Sequence, residues 1–427
     1  MAPAQRPSRF SWAGALSALN VSLAAALLIR LALHFRPGWR AETTDFTALR
    51  TGWWLALHDA RHLYDAAAQA VVQQRFMRVA GGPGFVNGLL AFLHPPHVAL
   101  AGVWLAWLGD RGGARLPALV WLACNAGLLA LVVDRVRQAL RLTRAQTAAA
   151  ATALAAFLPV FETLAQGQLS ILLAVAAFGL AAGVDRGRPW QAAAWLLVLG
   201  FKPQLFPAFA AALLARREWR TLAAFAALAA VVVALTSALL GAHVWIDWAT
   251  SVRGLERSFG GGAAAAMPTL RGAVARALPH LSAARLETVG LAIWLAGPLA
   301  VVLLVGRRAP EEPPRGTQRA VGLAAAIALA TSPHLYQHDL VIWVVPLVAA
   351  LAAATENPAV WRARTLLALA WPIWAMLAEL ADQSDGWPSR LPIDLRLVPV
   401  AVCLVWSIAA ARRSSTLAPR VSPGRAP

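Results

Sequence analysis

The sequence predicts an all-α protein that crosses a membrane many times. Three observations predict it. Apolar residues make up 59% of 427 and charged residues only 14%, with a mean hydropathy of +0.59. The apolar residues run in long blocks, such as Leu16–Leu33, Thr221–Leu240, Leu286–Val305, Leu340–Ala354 and Leu366–Leu380. The period-2 alternation of a barrel strand is absent. A spanning helix needs about 20 mostly apolar residues, so about ten to twelve passes consume most of this chain. Only helices and closed barrels satisfy the backbone in lipid, which leaves helices. The expected organisation is a single membrane domain over residues 1–411 and a cytoplasmic, disordered tail at 412–427.

Charge orders the elements along the chain. Arg6 and Arg9 precede the first apolar block, which predicts a cytoplasmic N-terminus. The length of that block favours an uncleaved anchor over a signal peptide. Short basic loops recur at 185–188, 216–220, 307–319 and 362–364, and in the tail at Arg412 and Arg413. They mark the same side. The opposite side receives loops at 34–87, 162–168, 241–285, 332–339 and 382–392. Two stretches break the alternation. Residues 88–133 look like two helices, yet the basic 135–144 loop that follows reads as cytoplasmic. A re-entrant segment after Pro96 resolves this. Residues 191–215 lie between two cytoplasmic loops, and Gln191 to Phe201 spans only about 16 Å as a helix. This is a broken hairpin, and it carries Lys202 deep into the membrane. Non-helical backbone is tolerated there only against protein or a wet cavity.

The net charge of +18 comes from arginines spread between apolar blocks, so membrane topology explains it and nucleic-acid binding does not. Cys124 and Cys403 both lie inside apolar blocks and make no disulfide or metal framework.

The polar residues that remain are few. All nine histidines, His34, His58, His62, His94, His97, His243, His280, His334 and His338, fall on the outer side or at outer ends of passes. Outer loops hold more polar residues of every kind, so some of these are surface groups. Lys202 is the only lysine. Scarce lysine codons offer a bland account. Its apolar surroundings argue against that, because a charge there costs at least ~2.5–3.5 kcal/mol and marks a functional site by default. Asp45, in TTDFTALRTGW, reads by itself as a helix N-cap after Thr43-Thr44. His94-Pro95-Pro96-His97 is a rigid turn, or a helix start with surface histidines. Gln166-Gly167-Gln168 opens a helix whose free N–H groups can meet an anion, or is ordinary capping. His338-Asp339 begins a late pass and can be a surface pair.

Taken in order, these motifs resemble glycosyltransferase family 87. They are Asp45-Phe46 after the first helix, Leu63-Tyr64-Asp65, an aromatic-Pro-Pro-like turn at His94, Gly167-Gln168, Lys202-Pro203-Gln204 and the Ser332-Pro333-His334…His338-Asp339 segment. The resemblance covers roughly residues 40–405. Two departures stand out: His94 where the family has tyrosine, and Gly260–Gly262 with an alanine run where the family has a polar Asn-Ser segment.

The resemblance implies a GT-C-class fold and inverting hexosyl transfer, from polyprenyl-phosphate-mannose to a lipid or glycan acceptor, on the periplasmic face of the inner membrane. It implies Asp45 as general base. Lys202, His338 and His334 are then candidates for the donor phosphate. His94, His97, Gln166, Gln168 and Asp339 are candidates for substrate contacts. No metal or other cofactor is expected, since no dense carboxylate cluster is visible. A transporter is the rival class, because broken helices and buried charges mark transporter sites too. No internal repeat is seen, and the polar residues gather on one face.

Overall fold

The computed structural model describes residues 11–35, 45–80, 90–113, 115–258, 264–306, 315–354, 357–383, 395–398, 401–403, 405–406 and 408. Arg6, Arg9, Thr43, Thr44, Gly260–Gly262, residues 384–392 of the late outer loop and the 412–427 tail lie outside them. Every regular element among the described residues is helical. In chain order the helices are α1 Trp12–His34, α2 Asp45–His58, α3 Ala66–Ala80, α4 Pro96–Ala101, α5 Val103–Gly112 and α6 Arg115–Leu140. Next come α7 Arg144–Ala155, α8 Leu158–Gln166, α9 Ser170–Asp185, α10 Pro189–Leu199, α11 Phe206–Ala215 and α12 Trp219–Leu240. The last are α13 Val244–Ser258, α14 Leu270–Ala277, α15 Ala283–Val305, α16 Arg315–Thr331, α17 Val344–Ala352 and α18 Pro358–Gln383, with a 3-10 segment Gln337–Trp343 leading into α17.

Helix starts follow local chemistry. Ser11, Thr269 and Ser282 each accept a backbone N–H of the turn they open, at 3.4, 3.1 and 3.4 Å. Thr143 and Gln146 form a reciprocal capping box on α7. Proline occupies the first turn of α8, α10 and α11, where its missing N–H costs nothing.

Five helices, α1, α6, α12, α15 and the Pro358–Leu380 part of α18, are long and apolar enough to cross a bilayer. The α7–α8 pair makes a sixth if its 60° bend lies within one span. Only 11–22% of the residues in those five spans are buried within the protein. Leu28, Ile29, Val231, Leu295 and Leu303 face outward. So large an apolar surface is stable against lipid and a liability in water. The other apolar blocks form helices of 10–17 residues, α9, α10, α11 and the Gln337–Ala352 stretch. These are too short to span alone, so among the described residues there are fewer full-length passes than apolar blocks.

The short helices are inside. α9 is apolar all round and almost wholly buried, as a central helix must be. It packs against α6, α10, α16 and the 3-10 segment. The break expected over 191–215 is present. α10 ends at Leu199, a turn carries Lys202, and α11 starts at Phe206. The stretch after Pro96 is also short, with α4 and α5 broken at Gly102 ahead of the full-length α6.

A second cluster lies under α2, around Leu49, Trp53, Leu63, Phe92 and Leu105. Two glutamines one helical turn apart organise it. Gln69 Oε1 accepts from Phe92 N at 2.8 Å and Gln73 Nε2 donates to Leu90 O at 2.6 Å. They give the extended 90–94 segment a partner for its backbone groups, which a buried segment needs. That segment delivers the His94 turn.

Candidate active site

Asp45 opens α2, whose inner face buries Phe46, Leu49 and Trp53. Phe46 rests on Gly167, the residue that closes α8. Gly167 is left-handed (φ +67°), and a Cβ there would lie 2.7 Å from that of Phe46. Both the backbone and the space therefore require glycine. Trp121 Nε1 donates to Gly167 O at 2.7 Å, and Gln168 N donates to Thr163 O at 2.9 Å. The α8–α9 link is thus held from both sides. Gln168 Nε2 then donates to Asp45 Oδ2 at 2.8 Å. The glutamine motif closes α8 and precedes α9 at Ser170, so Gln168 acts through its side chain.

Lys202 is buried, as is the late Asp339, and the two form an ion pair. The ammonium also lies 3.4 Å from His338 Nε2. Asp339 accepts from Ser170 Oγ at 2.7 Å on Oδ1 and from Tyr336 N at 3.4 Å on Oδ2. Thr163 Oγ1 donates to His338 O at 3.0 Å, which fixes the 3-10 segment against α8. The lone lysine thus finds its counter-ion 137 residues away. Buried charges persist only when paired and hydrogen-bonded, and this pair is both. The Lys202–Asp339 pair carries no net charge. Asp45 is near enough that its charge acts on the rings of His94 and His338.

His94 sits in the extended segment ahead of α4. Its Nδ1 lies 3.2 Å from Phe201 O, and its carbonyl accepts from Tyr64 Oη at 2.6 Å. Burial, then the Lys202 charge, lowers its pKa to about 4, so the ring is neutral at physiological pH. Burial also raises the Tyr64 pKa, which keeps the phenol a donor. Trp248 Nε1 anchors the same segment through Leu93 O at 2.9 Å. His97 packs between Phe201 and Trp245, at 5.4 and 6.1 Å between ring centres, and both its nitrogens are buried without a hydrogen-bond partner among the described residues. His334 lies edge-on to Tyr336 at 5.0 Å, and its carbonyl accepts from Gln204 Nε2 at 3.2 Å.

The structure therefore brings together Asp45, Gln168, Lys202, His338, Asp339 and His94, with His334 and His97 on adjoining turns. Gln166 turns away, donating to Glu162 at 2.8 Å. His58, His62 and His243 pair with surface carboxylates Asp110, Asp59 and Asp247. Among the described residues, no three histidine, cysteine or acidic groups converge as metal ligands.

Ser170 and Thr163 bond to this cluster although no motif names them, and Tyr64, which the Leu63-Tyr64-Asp65 motif does name, is not among the candidate site residues. For Tyr64 a signal existed. The chain has only two tyrosines, and both Tyr64 and Tyr336 bond to groups of this cluster. In the Leu63-Tyr64-Asp65 motif, Leu63 is core, Tyr64 holds the His94 turn and Asp65 caps α3 through Ala68 N at 2.7 Å.

A carboxylate held by an amide, with a lysine–carboxylate pair and histidines in the same cluster, can take a proton from a hydroxyl while an anionic group leaves nearby. The sequence model of glycosyltransferase family 87 matches residues 92–333, more than half of the chain. No curated protein and no solved structure matches it. The matched stretch contains His94, His97, Gln166, Gln168, Ser170 and Lys202; Asp45, His334, His338 and Asp339 flank it. Hydrogen bonds from Gln168, Ser170 and Lys202 connect it to the flanking acids.

Proposed function

The chain belongs to glycosyltransferase family 87, a family of polytopic membrane glycosyltransferases, and we propose that it moves a hexose, mannose in the first instance, from a polyprenyl-phosphate donor to a lipid or glycan of the cell envelope. The reaction inverts the anomeric centre on the periplasmic face of the inner membrane. The observation that carries this reading is that two hydrogen-bonded sets meet where α8 passes into α9: Gln168 holds Asp45, and Ser170, two residues on, holds the Asp339 that pairs with Lys202. Uncharged His94 lies within reach of the charges of both sets.

Each group has a role in that chemistry. Asp45 takes the acceptor hydroxyl's proton as the new bond to the anomeric carbon forms. The leaving lipid phosphate gains charge as the old bond breaks, and donors aimed at it stabilise that change. Lys202 supplies the N–H that neither Asp339 nor His338 uses, and His338 and His334 supply ring N–H groups. Asp339 holds the ammonium in place, so its contact to substrate is indirect. His94 and His97 offer neutral donors and acceptors to sugar hydroxyls. Gln166, which is engaged with Glu162, is the weakest of the proposed contacts.

A lipid donor suits the surroundings. The 3-10 segment that carries His338 also presents Leu340 and Trp343 to a shallow, largely apolar recess with Phe157, Trp371 and Trp374. The direct test is a proteoliposome assay with radiolabelled polyprenyl-phosphate-mannose and total lipid extract of the host. Label should move to a lipid or glycan product. Transfer from a nucleotide sugar but not from the lipid donor would reject the proposed donor class.

A further inference from the structure

We propose that the Gln168 side-chain amide positions the base and binds a hydroxyl of the reacting sugar, joining the two. The inference rests on the reading of Asp45 as base and says how that base is aimed. The amide's orientation is set by chemistry, since a carbonyl oxygen facing the Asp45 carboxylate would be repelled. With Nε2 donating to Asp45 Oδ2 at 2.8 Å, Oε1 points the other way. That oxygen is buried and has no hydrogen-bond partner among the described residues. Gln168 itself is only 7% exposed.

A buried acceptor left unpaired is costly, and native proteins rarely leave one without purpose. Only a donor can satisfy it, and a glycosyltransferase brings sugar hydroxyls beside its base: the reacting one gives its proton to Asp45, and a neighbouring one donates to this oxygen. The backbone is built to hold the amide still. Gly167 must be glycine, Trp121 grips its carbonyl and Thr163 grips the Gln168 N–H. An amide fixed in this way positions both the base and the hydroxyl before reaction, the arrangement that raises effective concentration. Because Gln168 occupies Oδ2, the Oδ1 atom of Asp45 receives the proton. The acceptor oxygen then forms its bond to the anomeric carbon, and the carbon–oxygen bond to the lipid phosphate breaks with its electron pair going to the phosphate.

The test uses full-length protein in proteoliposomes made with total lipid extract of the host. It follows release of polyprenyl phosphate from polyprenyl-phosphate-mannose. Gln168→Leu removes both hydrogen bonds, and Gln168→Glu keeps the shape but sets a carboxylate against Asp45. Each should lower kcat by about a hundredfold, the scale of lost alignment. KM for the lipid donor should change less than about threefold, because that contact is made elsewhere. In an Asp45→Asn background, Gln168→Leu should cost much less than in the wild type, since there is no base left to aim and only the hydroxyl contact is lost. A merely structural glutamine would give the same fractional loss in both backgrounds, and that result overturns the proposal. So does full turnover in Gln168→Leu or Gln168→Glu while Asp45→Asn is impaired. Full turnover in Asp45→Asn overturns the base itself, a different failure. If Gln168→Leu does not fold, the isosteric Gln168→Glu carries the same comparison.

Discussion

Replacing Lys202 by methionine removes a buried ammonium and leaves its partner behind. Asp339 is only 2% exposed. In Lys202→Met it would keep the Ser170 hydroxyl and the Tyr336 N–H but lose the ammonium that balances its charge. Breaking a buried pair from one side costs about 3–5 kcal/mol, because the remaining charge is uncompensated. That is a large fraction of a typical protein's stability. A loss of activity in Lys202→Met alone would therefore say little about catalysis. The double variant Lys202→Met/Asp339→Asn separates the two effects. It removes both charges, and the oxygen of the introduced amide can still accept from Ser170, so most of the stability should return. Turnover should not return. If Lys202 stabilises the leaving phosphate, both variants lose about a thousandfold, equivalent to roughly 4 kcal/mol of transition-state stabilisation. Lys202→Arg should rescue only in part, since a planar guanidinium does not occupy the space of a compact ammonium. The assay pairs thermal unfolding in detergent with polyprenyl-phosphate release in proteoliposomes. Wild-type turnover in the double variant would refute the reasoning and leave Lys202 as a structural ion-pair partner only.

Asp45→Asn should cost at least about a hundredfold in turnover with folding intact, since the new side chain can still accept from Gln168; normal turnover in the purified variant rejects Asp45 as base. Cysteines at Arg61 and Gln337, in a background without Cys124 and Cys403, should react with an impermeant thiol reagent from the periplasmic side. Labelling only after permeabilisation would reverse the proposed facing of the site. Turnover should survive EDTA; a loss that magnesium or manganese restores would contradict the metal-independent mechanism. His94 has a folded-state pKa of about 4, below the ordinary histidine value of 6.5. The unfolded chain therefore binds this proton first, and stability should fall as pH drops from about 6.5 to about 4, by up to about 3 kcal/mol for this group. His94→Asn should flatten that part of the unfolding-temperature profile, and an unchanged profile would rule His94 out as its source.

Membrane residence and helical class were legible in the sequence because they follow from summed local quantities. Block length, hydropathy and the spacing of arginines need no knowledge of what packs where. The break at Lys202 was legible for the same reason, since eleven residues of helix in α10 reach only about 16 Å and cannot cross about 30 Å of hydrocarbon. The order of the motifs was enough to suggest the family. Partnerships were a different matter. Lys202 stands beside no acid in the chain, and its partner Asp339 lies 137 positions on. Asp45 reads locally as a helix cap, yet its carboxylate meets Gln168, 123 positions away. Gln166 and Gln168 look equivalent in the sequence, but the left-handed turn at Gly167 sends one amide to Glu162 and the other to Asp45. The direction of a side chain is decided by how helices stack, and stacking depends on contacts that sequence spacing does not encode. So the sequence determines which polar groups stand among the apolar blocks, and only the packing of α2, α8, α9 and the Lys202 turn decides which of them face one another.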